Sequence, residues 1–305
     1  MDLLVLTLVR ALTGVLAALP RVWAVRLLTA VVRFTALLFP KHPRIARRNL
    51  CLAFPELTGA ERERILRESY VSLARLLVDF SRLPKLDAAW VDTHIECPFL
   101  PRFREMKAAH PGRGVVIATG HLGSFELLAH SVAMYGNPID FVVRNFKLPR
   151  VDRWWTGIRE RQGNRVISRK GAFREVMRSL QSGRDVALLF DQNVTRNHAV
   201  FVPWFGVPAA TTRAVALAAL RTEAPVIVAS IHHLGDDRYC TEAIECDFAP
   251  LYRDETVSPE EKIERMTARM AAAYESMIRA HPGEWFWMHR RWKTRPEGEH
   301  EHLYR

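Results

Sequence analysis

Residues 114–126 have the sequence GVVIATGHLGSFE, and this stretch decides the predicted fold class. Its first half is a short β-branched run bounded by glycines, a pattern typical of a buried β-strand. Ser124 is a favourable N-cap for the apolar helix predicted after it, with Phe125 and Glu126 in the first turn. A buried strand, a short loop and a helix form the unit from which α/β proteins are built, so an α/β fold is expected.

The same alternation continues along the chain. Strands are predicted at three further positions, which are 141–144, 185–190 and 225–230. Helices are predicted near residues 124–135, 151–162, 173–181 and 212–222. A later strand is expected to contain Cys240 and Cys246. Strands that alternate with helices favour a mainly parallel or mixed sheet covered by helices on both faces.

His121 lies in the loop between the first of these strands and its helix, five residues before Glu126. A loop histidine and a first-turn glutamate can fold back within hydrogen-bonding reach. A carboxylate that holds an imidazole in one tautomer makes a general base for a substrate hydroxyl. Two interpretations are open from the spacing: a catalytic pair, or an ordinary loop histidine beside a helix-start glutamate.

Other chemically useful side chains also follow predicted strands, namely Arg144 and the pair Asp191-Gln192. In open α/β sheets, ligands bind at the carboxyl ends of the strands. We therefore expect these residues to share one site with His121. For Asp191, the alternative role is to anchor a loop by accepting backbone hydrogen bonds.

Arg159 is expected on the apolar stripe of its helix, because helical spacing aligns it with Asp152 and Trp155. An arginine in that position must pair with an acid or face a ligand. It either pairs with Asp152 or Asp191, or binds a phosphate or a developing oxyanion through its fork of donors. We prefer the second interpretation.

The first 60 residues are both the most apolar and the most basic part of the chain. They carry eight Lys or Arg residues against Asp2 and Glu56, which is more than half of the net charge of +11. Arg10, Arg26 and Arg33 interrupt the apolar runs, so the roughly 20 uncharged residues of a membrane span are absent. The start also lacks the basic n-region of a signal peptide.

Pro20 divides this segment into two predicted helices with arginines along one side. We interpret them as an interfacial hairpin on an anionic bilayer; a buried helix pair or one tilted transmembrane helix are the alternatives. Residues 1–50 are assigned to N-terminal membrane-associating helices and residues 51–305 to an α/β catalytic domain. Nucleic acid is not expected as a partner, because no recognised motif accompanies the charge.

Several other classes of protein fit the sequence poorly. The four cysteines of this 305-residue chain are scattered without metal-type spacing and suit a reducing cytoplasm. Ser124 is not in a G-x-S-x-G elbow, which argues against a serine hydrolase. His121, Glu126 and His130 lack the HExxH spacing of a zinc enzyme, so neither a metal nor another cofactor is expected.

Four blocks of the sequence resemble the bacterial lipid A late acyltransferases, the lauroyl/myristoyl transferase family. HLGSFE at residues 121–126 resembles the family's HxxxxE motif, whose frequent form is HLGNWE. Residues 144–167 resemble its arginine block, Asp191-Gln192 with 201–212 resembles its DQ…FVPFFGxPAATT block, and 284–296 resembles its WFWxHRRWK signature. Leu148 and Arg213-Ala214 depart from the family pattern, and these departures concern the identity of the substrate.

The resemblance implies a glycerol-phosphate-acyltransferase-like fold and an O-acyltransferase at the cytoplasmic face of the cell inner membrane. It implies that His121 and Glu126 are catalytic, and that an acyl carrier protein donates a fatty acyl chain to a hydroxyl of a lipid A precursor. The expected substrate-binding residues are Arg144, Arg159, Arg161, Asp191, Gln192, Thr211 and Thr212. The alternatives are acylation of another glycolipid or lysophospholipid from acyl-CoA, and a non-catalytic lipid-binding protein of the same fold.

Two further segments carry expectations. Thr211 and Thr212 are expected to cap the next helix, and the aromatic stretch 201–205 either packs in the core or forms the wall of an acyl-chain tunnel. Near the C-terminus, three tryptophans between residues 285 and 292 interleave with basic residues. This pattern favours an amphipathic rim near lipid headgroups.

Overall fold

A mixed α/β sheet forms the centre of the protein, for which the computed structural model describes residues 2–299 and 302–304. The strands are β1 (Ile95–Glu96), β2 (Val116–Thr119), β3 (Ile139–Val143), β4 (Arg165–Ser168), β5 (Asp185–Leu189), β6 (Ala199–Trp204), β7 (Val207–Thr212), β8 (Val226–Gly235) and β9 (Arg238–Cys246). The helices are α1 (Asp2–Ala18), α2 (Arg21–Leu38), α3 (Lys41–Ala53), α4 (Gly59–Arg82), α5 (Ala88–His94), α6 (Leu100–Ala109), α7 (Phe125–Met134), α8 (Pro149–Arg159), α9 (Ala172–Gln181), α10 (Ala214–Thr222), α11 (Ala249–Arg253) and α12 (Pro259–Ala280).

The seven strands of the central sheet follow the order β1-β9-β8-β2-β5-β3-β4. β8 and β9 pair antiparallel, whereas the other neighbours pair parallel. The predicted mixed sheet is confirmed, and so are the four strands predicted in its middle and the strand that contains Cys240 and Cys246. β1 and β4 were not predicted, because they are short edge strands with little apolar pattern.

A separate antiparallel hairpin joins β6 to β7, and it was not predicted from the sequence. Its two turn residues, Phe205 and Gly206, have φ angles of 50° and 74°. Positive φ at both central positions is the geometry of a type I′ turn, which usually has the sequence Asn-Gly. Because Phe205 occupies the first position, the sequence lacks the Asn-Gly pair that would have predicted this turn.

Helices cover both faces of the sheet, as predicted. Successive residues of a strand point to opposite faces. Val116 and Leu188 therefore pack in the cluster that contains residues of α9, α10 and α12. Ile117 and Phe141 pack instead with Phe103 of α6 and the α7 side of the sheet. The site described below lies at the edge where these two layers meet the strand ends.

The N-terminal segment divides into α1 and α2 at Pro20, as predicted. Leu16 of α1 and Leu28 of α2 pack against Ala74 and Val78 of α4. These contacts attach both helices to the rest of the protein through one side. α3 runs through residue 50, so the predicted domain boundary falls inside a helix.

The outer side of α1 and α2 is apolar and exposed. Thirteen large apolar side chains between Leu3 and Phe39 are exposed, with Leu37 at 80%. Within the described residues, no single helix is long and apolar enough to cross a membrane. α2 and α3 together meet that test by length and composition, but they are bent by 95°.

The arginines of the N-terminal helices were predicted to lie along one side, at the membrane surface. Arg21 does not follow this prediction. It is buried, and its guanidinium pairs with Asp79 and with Asp237, the latter at 2.8 Å from Nε. The Tyr239 hydroxyl lies 2.9 Å from both carboxylate oxygens of Asp79. This network holds α2 against α4 and β9.

Candidate active site

The carboxyl ends of β2 and β5 lie side by side and bring two predicted site residues together. Thr119 of β2 is in register with Leu189 of β5. His121 follows the first strand by two residues, and Asp191 follows the second by two. The structure thus brings His121 and Asp191 into contact, as expected from their positions at the strand ends.

Asp191 holds the imidazole of His121. Its Oδ1 lies 2.9 Å from His121 Nδ1, and its Oδ2 accepts a hydrogen bond of 2.7 Å from the His121 backbone N–H. The indole of Trp285 donates a third bond, of 2.8 Å, to Oδ2. A carboxylate with donors on both oxygens cannot rotate freely, so the ring orientation is fixed.

Asp191 is ionised at neutral pH although it is only 2% exposed. Burial by itself would raise the pKa of its carboxyl. The charge and hydrogen bonds of His121, together with the Trp285 donor, outweigh burial and lower the pKa to about 2. The ionised carboxylate accepts the Nδ1 proton, which leaves the lone pair of His121 on Nε2.

The prediction that Glu126 orients His121 is wrong: the orienting carboxylate is Asp191. Glu126 lies in the first turn of α7 and faces α8, where it forms a two-pronged ion pair with Arg159. Arg159 Nε lies 3.0 Å from Glu126 Oε2. Sequence spacing favoured the nearer acid, whereas the pairing of β2 with β5 brings an acid 70 residues away into contact.

Asp152 and Asp191 were considered as alternative partners of Arg159, and neither pairs with it. Asp191 binds His121, and Asp152 accepts hydrogen bonds from the Asn145 side chain and the Phe146 backbone N–H. Asp152 thus closes the loop that precedes α8. The Arg159 guanidinium lies against the apolar side of α8, 5.7 Å from the Trp155 ring centre.

Two glycines allow the His121 loop to pass close to its neighbours. A Cβ on Gly120 would lie 2.5 Å from the Asp191 carboxyl carbon, and one on Gly123 would lie 1.8 Å from the Ile231 carbonyl oxygen. Gly123 also has a φ of 59°, which disfavours other residues. Ser124 occupies the N-cap of α7 as predicted, but its hydroxyl accepts no bond from the helix amides.

Gln192 lies on the other side of the imidazole. Its Nε2 is 3.2 Å from His121 Nε2. Because Nδ1 donates to Asp191, Nε2 is the acceptor and the Gln192 amide donates to it. That hydrogen bond occupies the Nε2 lone pair, so a hydroxyl in the cavity that both residues line must displace the Gln192 amide before Nε2 can act as a general base.

A cavity of about 990 Å³ opens beside His121, close to the upper end of the ~300–1,000 Å³ that small-molecule sites occupy. Its polar wall contains predicted site residues, which are His121, Glu126, Arg144, Arg159, Gln192 and Thr212. Most of the remaining wall is apolar, with side chains that include Phe103, Ile117, Ile139, Phe141, Ile227 and Ala229. The cavity can accept a long apolar chain and present its polar end to the imidazole.

Three predicted substrate-binding residues lie outside the cavity wall, and one of them is Asp191, which is buried behind His121. Arg161 donates to the Pro84 carbonyl at 2.8 Å. Thr211 is buried at the end of β7, where its hydroxyl binds Trp204 and Arg291, so it does not cap α10. Thr212 does line the cavity and accepts a bond of 3.3 Å from the Ala214 N–H at the start of that helix.

The expectation that the C-terminal tryptophans form a rim at lipid headgroups is wrong. Trp285, Trp287 and Trp292 are each at most 3% exposed, and Arg291 among them is fully buried. Trp204 stacks on Trp285 with ring centres 6.1 Å apart, so this part of the aromatic stretch 201–205 also packs in the core. The role of Trp285 in holding Asp191 was missed, and no local pattern in the sequence indicates it.

The geometry defines a general class: an α/β protein with a carboxylate-oriented imidazole facing an apolar cavity. Comparison with known proteins gives the family. Residues 3–294 match the family model of the bacterial lipid A biosynthesis acyltransferases. The chain belongs to this family, and the resemblance seen in its sequence blocks is confirmed.

Individual relatives are similar over most of their length. The chain is 29% identical over 273 residues to a lipid A biosynthesis acyltransferase of Haemophilus influenzae, covering 87% of this chain and 81% of that protein. It is 26% identical to the lipid A biosynthesis lauroyltransferase of Escherichia coli, with coverage of 85% and 81%. It is 24% identical to the myristoyltransferase of the same organism, with coverage of 95% and 87%.

Proposed function

We propose that this protein transfers a fatty acyl chain from an acyl thioester to a hydroxyl of a lipid A precursor, with His121 as the general base. The observation that carries the proposal is the orientation of His121: Asp191 binds Nδ1, and Nε2 faces the cavity. Membership in the family supports an acyl-transfer reaction in lipid A biosynthesis.

The reaction balances without a covalent enzyme intermediate. The acceptor hydroxyl replaces the Gln192 amide at Nε2 of His121. Nε2 then removes the hydroxyl proton as the hydroxyl oxygen attacks the thioester carbonyl carbon. The carbon–sulfur bond of the tetrahedral intermediate then breaks, and the imidazolium returns the proton to the leaving thiolate. Asp191 stabilises the imidazolium and does not itself take the proton.

Arg159 supplies fixed positive charge at the same wall of the cavity. Two of its five N–H donors bind Glu126, which leaves three for a ligand. We assign the guanidinium to the developing oxyanion or to a phosphate of the acceptor, and Glu126 to holding it in place. Arg144, also on the cavity wall, is a second cation for such a phosphate.

The acyl carrier protein is the proposed donor. The net charge of +11 gives this chain a basic surface that suits an acidic partner. The apolar walls of the cavity suit the fatty chain once it leaves the carrier. The same cavity does not distinguish a carrier protein from coenzyme A, since both present the chain as a thioester.

The N-terminal helices are the proposed attachment to the inner membrane, at its cytoplasmic face. The exposed apolar side of α1 and α2 carries Trp23 and Phe34, both at least 60% exposed, with Arg26 and Arg33 between them. Apolar side chains flanked by cations bind the interface of an anionic bilayer.

The function is tested with purified full-length protein, a lipid A precursor, and the same fatty chain on acyl carrier protein or on coenzyme A. Mass spectrometry should detect one added acyl chain, at least tenfold faster from the carrier protein. His121→Ala should lower the rate of product formation by about 10³-fold while leaving the melting temperature within a few degrees of the wild type. A folded protein that binds the lipid but never acylates it would contradict the enzymatic proposal.

Membrane attachment is tested by vesicle flotation. Changing Arg26, Arg33, Lys41 and Arg44 to Glu should weaken binding to anionic vesicles by about 1 kcal/mol per cation. Arg21 is left unchanged, because its loss would strand the buried Asp79. Equal flotation of both proteins with anionic and neutral vesicles would argue against the electrostatic part of this proposal.

A further inference from the structure

A second group of polar side chains lies where β8, β9 and the end of α12 meet. His232 belongs to β8, Glu242 to β9, and His281 directly follows α12. In the antiparallel register, Ser230 is opposite Glu242, so Glu242 is a diagonal neighbour of His232 on the same face. One ligand atom from each of His232, Glu242 and His281 lies within 4.8 Å of the other two.

Three polar atoms of this group have no hydrogen-bond partner among the described residues. They are Oγ of Ser230, Nδ1 of His232 and Oε2 of Glu242, and all three are buried. Ser230 is 1% exposed and His232 is 9% exposed. A buried polar atom without a partner costs about 1–3 kcal/mol, so three of them at one place indicate a ligand that binds donors of this kind.

We propose that His232, Glu242 and His281 form a structural binding site for a divalent transition-metal cation of the zinc type. Two imidazole nitrogens and one carboxylate oxygen are a donor set that zinc accepts, with a water or the Ser230 hydroxyl as the fourth ligand. The cation also neutralises a carboxylate that lacks a basic partner in the described part of the chain.

Metal binding requires a small rearrangement of the two rings. They are stacked with centroids 3.7 Å apart and planes 15° apart, so their lone pairs do not yet converge. Bonds of about 2.0–2.2 Å in a tetrahedron place ligand atoms roughly 3.4 Å apart. The present separations are all within 4.8 Å, so no gap between ligand atoms has to close by more than about 1.4 Å. Rotation of the His281 ring about χ2 supplies this movement, because that torsion has a broad energy minimum.

The site would act on His121 through the chain that follows His281. Three residues later the Glu284 carbonyl accepts a bond of 3.0 Å from the Gly123 N–H, and the Phe286 N–H donates a bond of 3.0 Å to the His121 carbonyl. A cation that fixes His281 to β8 and β9 therefore stiffens the segment that holds the catalytic loop. It takes no part in the reaction.

The test uses full-length protein without a polyhistidine tag, stripped of metal and titrated with Zn²⁺ and, separately, Co²⁺. We expect one cation per chain, a tetrahedral Co²⁺ absorption spectrum, and a melting temperature raised by about 5 °C when Zn²⁺ exceeds its Kd about 100-fold. Glu242→Gln and His232→Ala should each abolish the shift. Glu242→Gln keeps the size of the side chain, so its metal-free melting curve shows whether the variant is folded.

Two matched controls separate this site from other histidines. His42 is exposed on α3, and His42→Ala should leave stoichiometry unchanged. The double change His300→Ala with His302→Ala removes the histidines of the C-terminal sequence and should also leave it unchanged. Retained binding in Glu242→Gln, binding lost with the C-terminal pair, or no thermal shift with either cation would each overturn the proposal.

Discussion

Two carboxylates, Glu126 on the wall of the cavity and Asp191 directly behind His121, have partners of different chemistry. Asp191 binds an imidazole that can gain and lose a proton, whereas Glu126 binds a guanidinium that stays charged. The first pair can move a proton during a reaction, and the second can only supply a fixed field. The partner of each acid therefore decides its role. The distance of each acid from His121 along the sequence did not indicate which partner it would have.

Substitutions of His121 and Asp191 should have the largest effect on the rate of acyl transfer. His121→Ala removes the proton acceptor and should lower kcat by about 10³-fold, within the ~10²–10⁴-fold range of general-base catalysis. Asp191→Asn leaves the His121 imidazole in a similar position without its ionic partner, and it should lower kcat by about 10²–10³-fold. The double variant should be no slower than His121→Ala alone, because the two residues act as one unit.

Steady-state acylation by mass spectrometry measures these variants, with circular dichroism to show that each is folded. The pH–rate profile is the sharper readout, since Asp191→Asn should change its acid limb. Turnover in folded Asp191→Asn within threefold of the wild type would remove Asp191 from the catalytic unit and return Glu126 to consideration.

The fold was largely predictable from sequence, because apolar periodicity marks each central strand. GVVIAT at residues 114–119 has no competing interpretation as a surface segment, and β2 forms there. The strand ends then place His121 and Asp191 on one edge of the sheet. Apolar periodicity does not give the order of the strands in the sheet. Asp191 reaches His121 because β5 pairs directly with β2.

Burial was predicted less well where composition is ambiguous. Residues 3–39 and 285–292 are both apolar and rich in arginine, and both were assigned to the membrane surface. In the structure the first segment exposes its apolar side chains, whereas Trp287, Arg291 and Trp292 of the second are fully buried. The C-terminal segment packs against the β6–β7 hairpin, where Arg291 bonds Ala210 and Thr211. Such a long-range contact leaves no periodic signal.

Substitutions of Glu126 and Arg159 should have a smaller effect on the rate. They should also leave the shape of the pH–rate profile unchanged. Arg159→Lys keeps the charge but loses the fork, and we expect about a tenfold loss of kcat/KM with a pH–rate profile of unchanged shape. Glu126→Gln should cost a similar factor in rate, and about 1–3 kcal/mol in stability, because the guanidinium loses its ionic partner.

The two readouts separate a catalytic from a structural role for this pair. Arg161→Lys is the matched control, since among the described residues Arg161 donates only to the Pro84 carbonyl, and it lies outside the cavity wall. It should change neither rate nor melting temperature beyond small amounts. If Arg159→Lys behaves like Arg161→Lys, Arg159 contacts neither substrate nor oxyanion.

The smallest expected effect concerns a third carboxylate, that of Glu284, which has no ion pair within hydrogen-bonding reach among the described residues. Its oxygens accept bonds of 3.0 and 3.2 Å from the His233 N–H. Burial raises the pKa of Glu284 to about 7, although the His233 bond and the charge of Arg75 lower it in part. A carboxyl group with a raised pKa favours the folded state at low pH, and this contribution is lost as the pH rises through 7.

The free energy of unfolding should therefore fall by about 1 kcal/mol more between pH 6 and pH 8 in the wild type than in Glu284→Gln. Urea denaturation at several pH values measures the difference. Asp191→Asn should keep the wild-type slope over this interval, because the pKa of Asp191 is about 2 and its carboxylate is ionised throughout. A slope that Glu284→Gln leaves unchanged would show that Glu284 is ionised across the range. Burial would then not dominate at that position, and the His233 hydrogen bond with the charge of Arg75 would outweigh it.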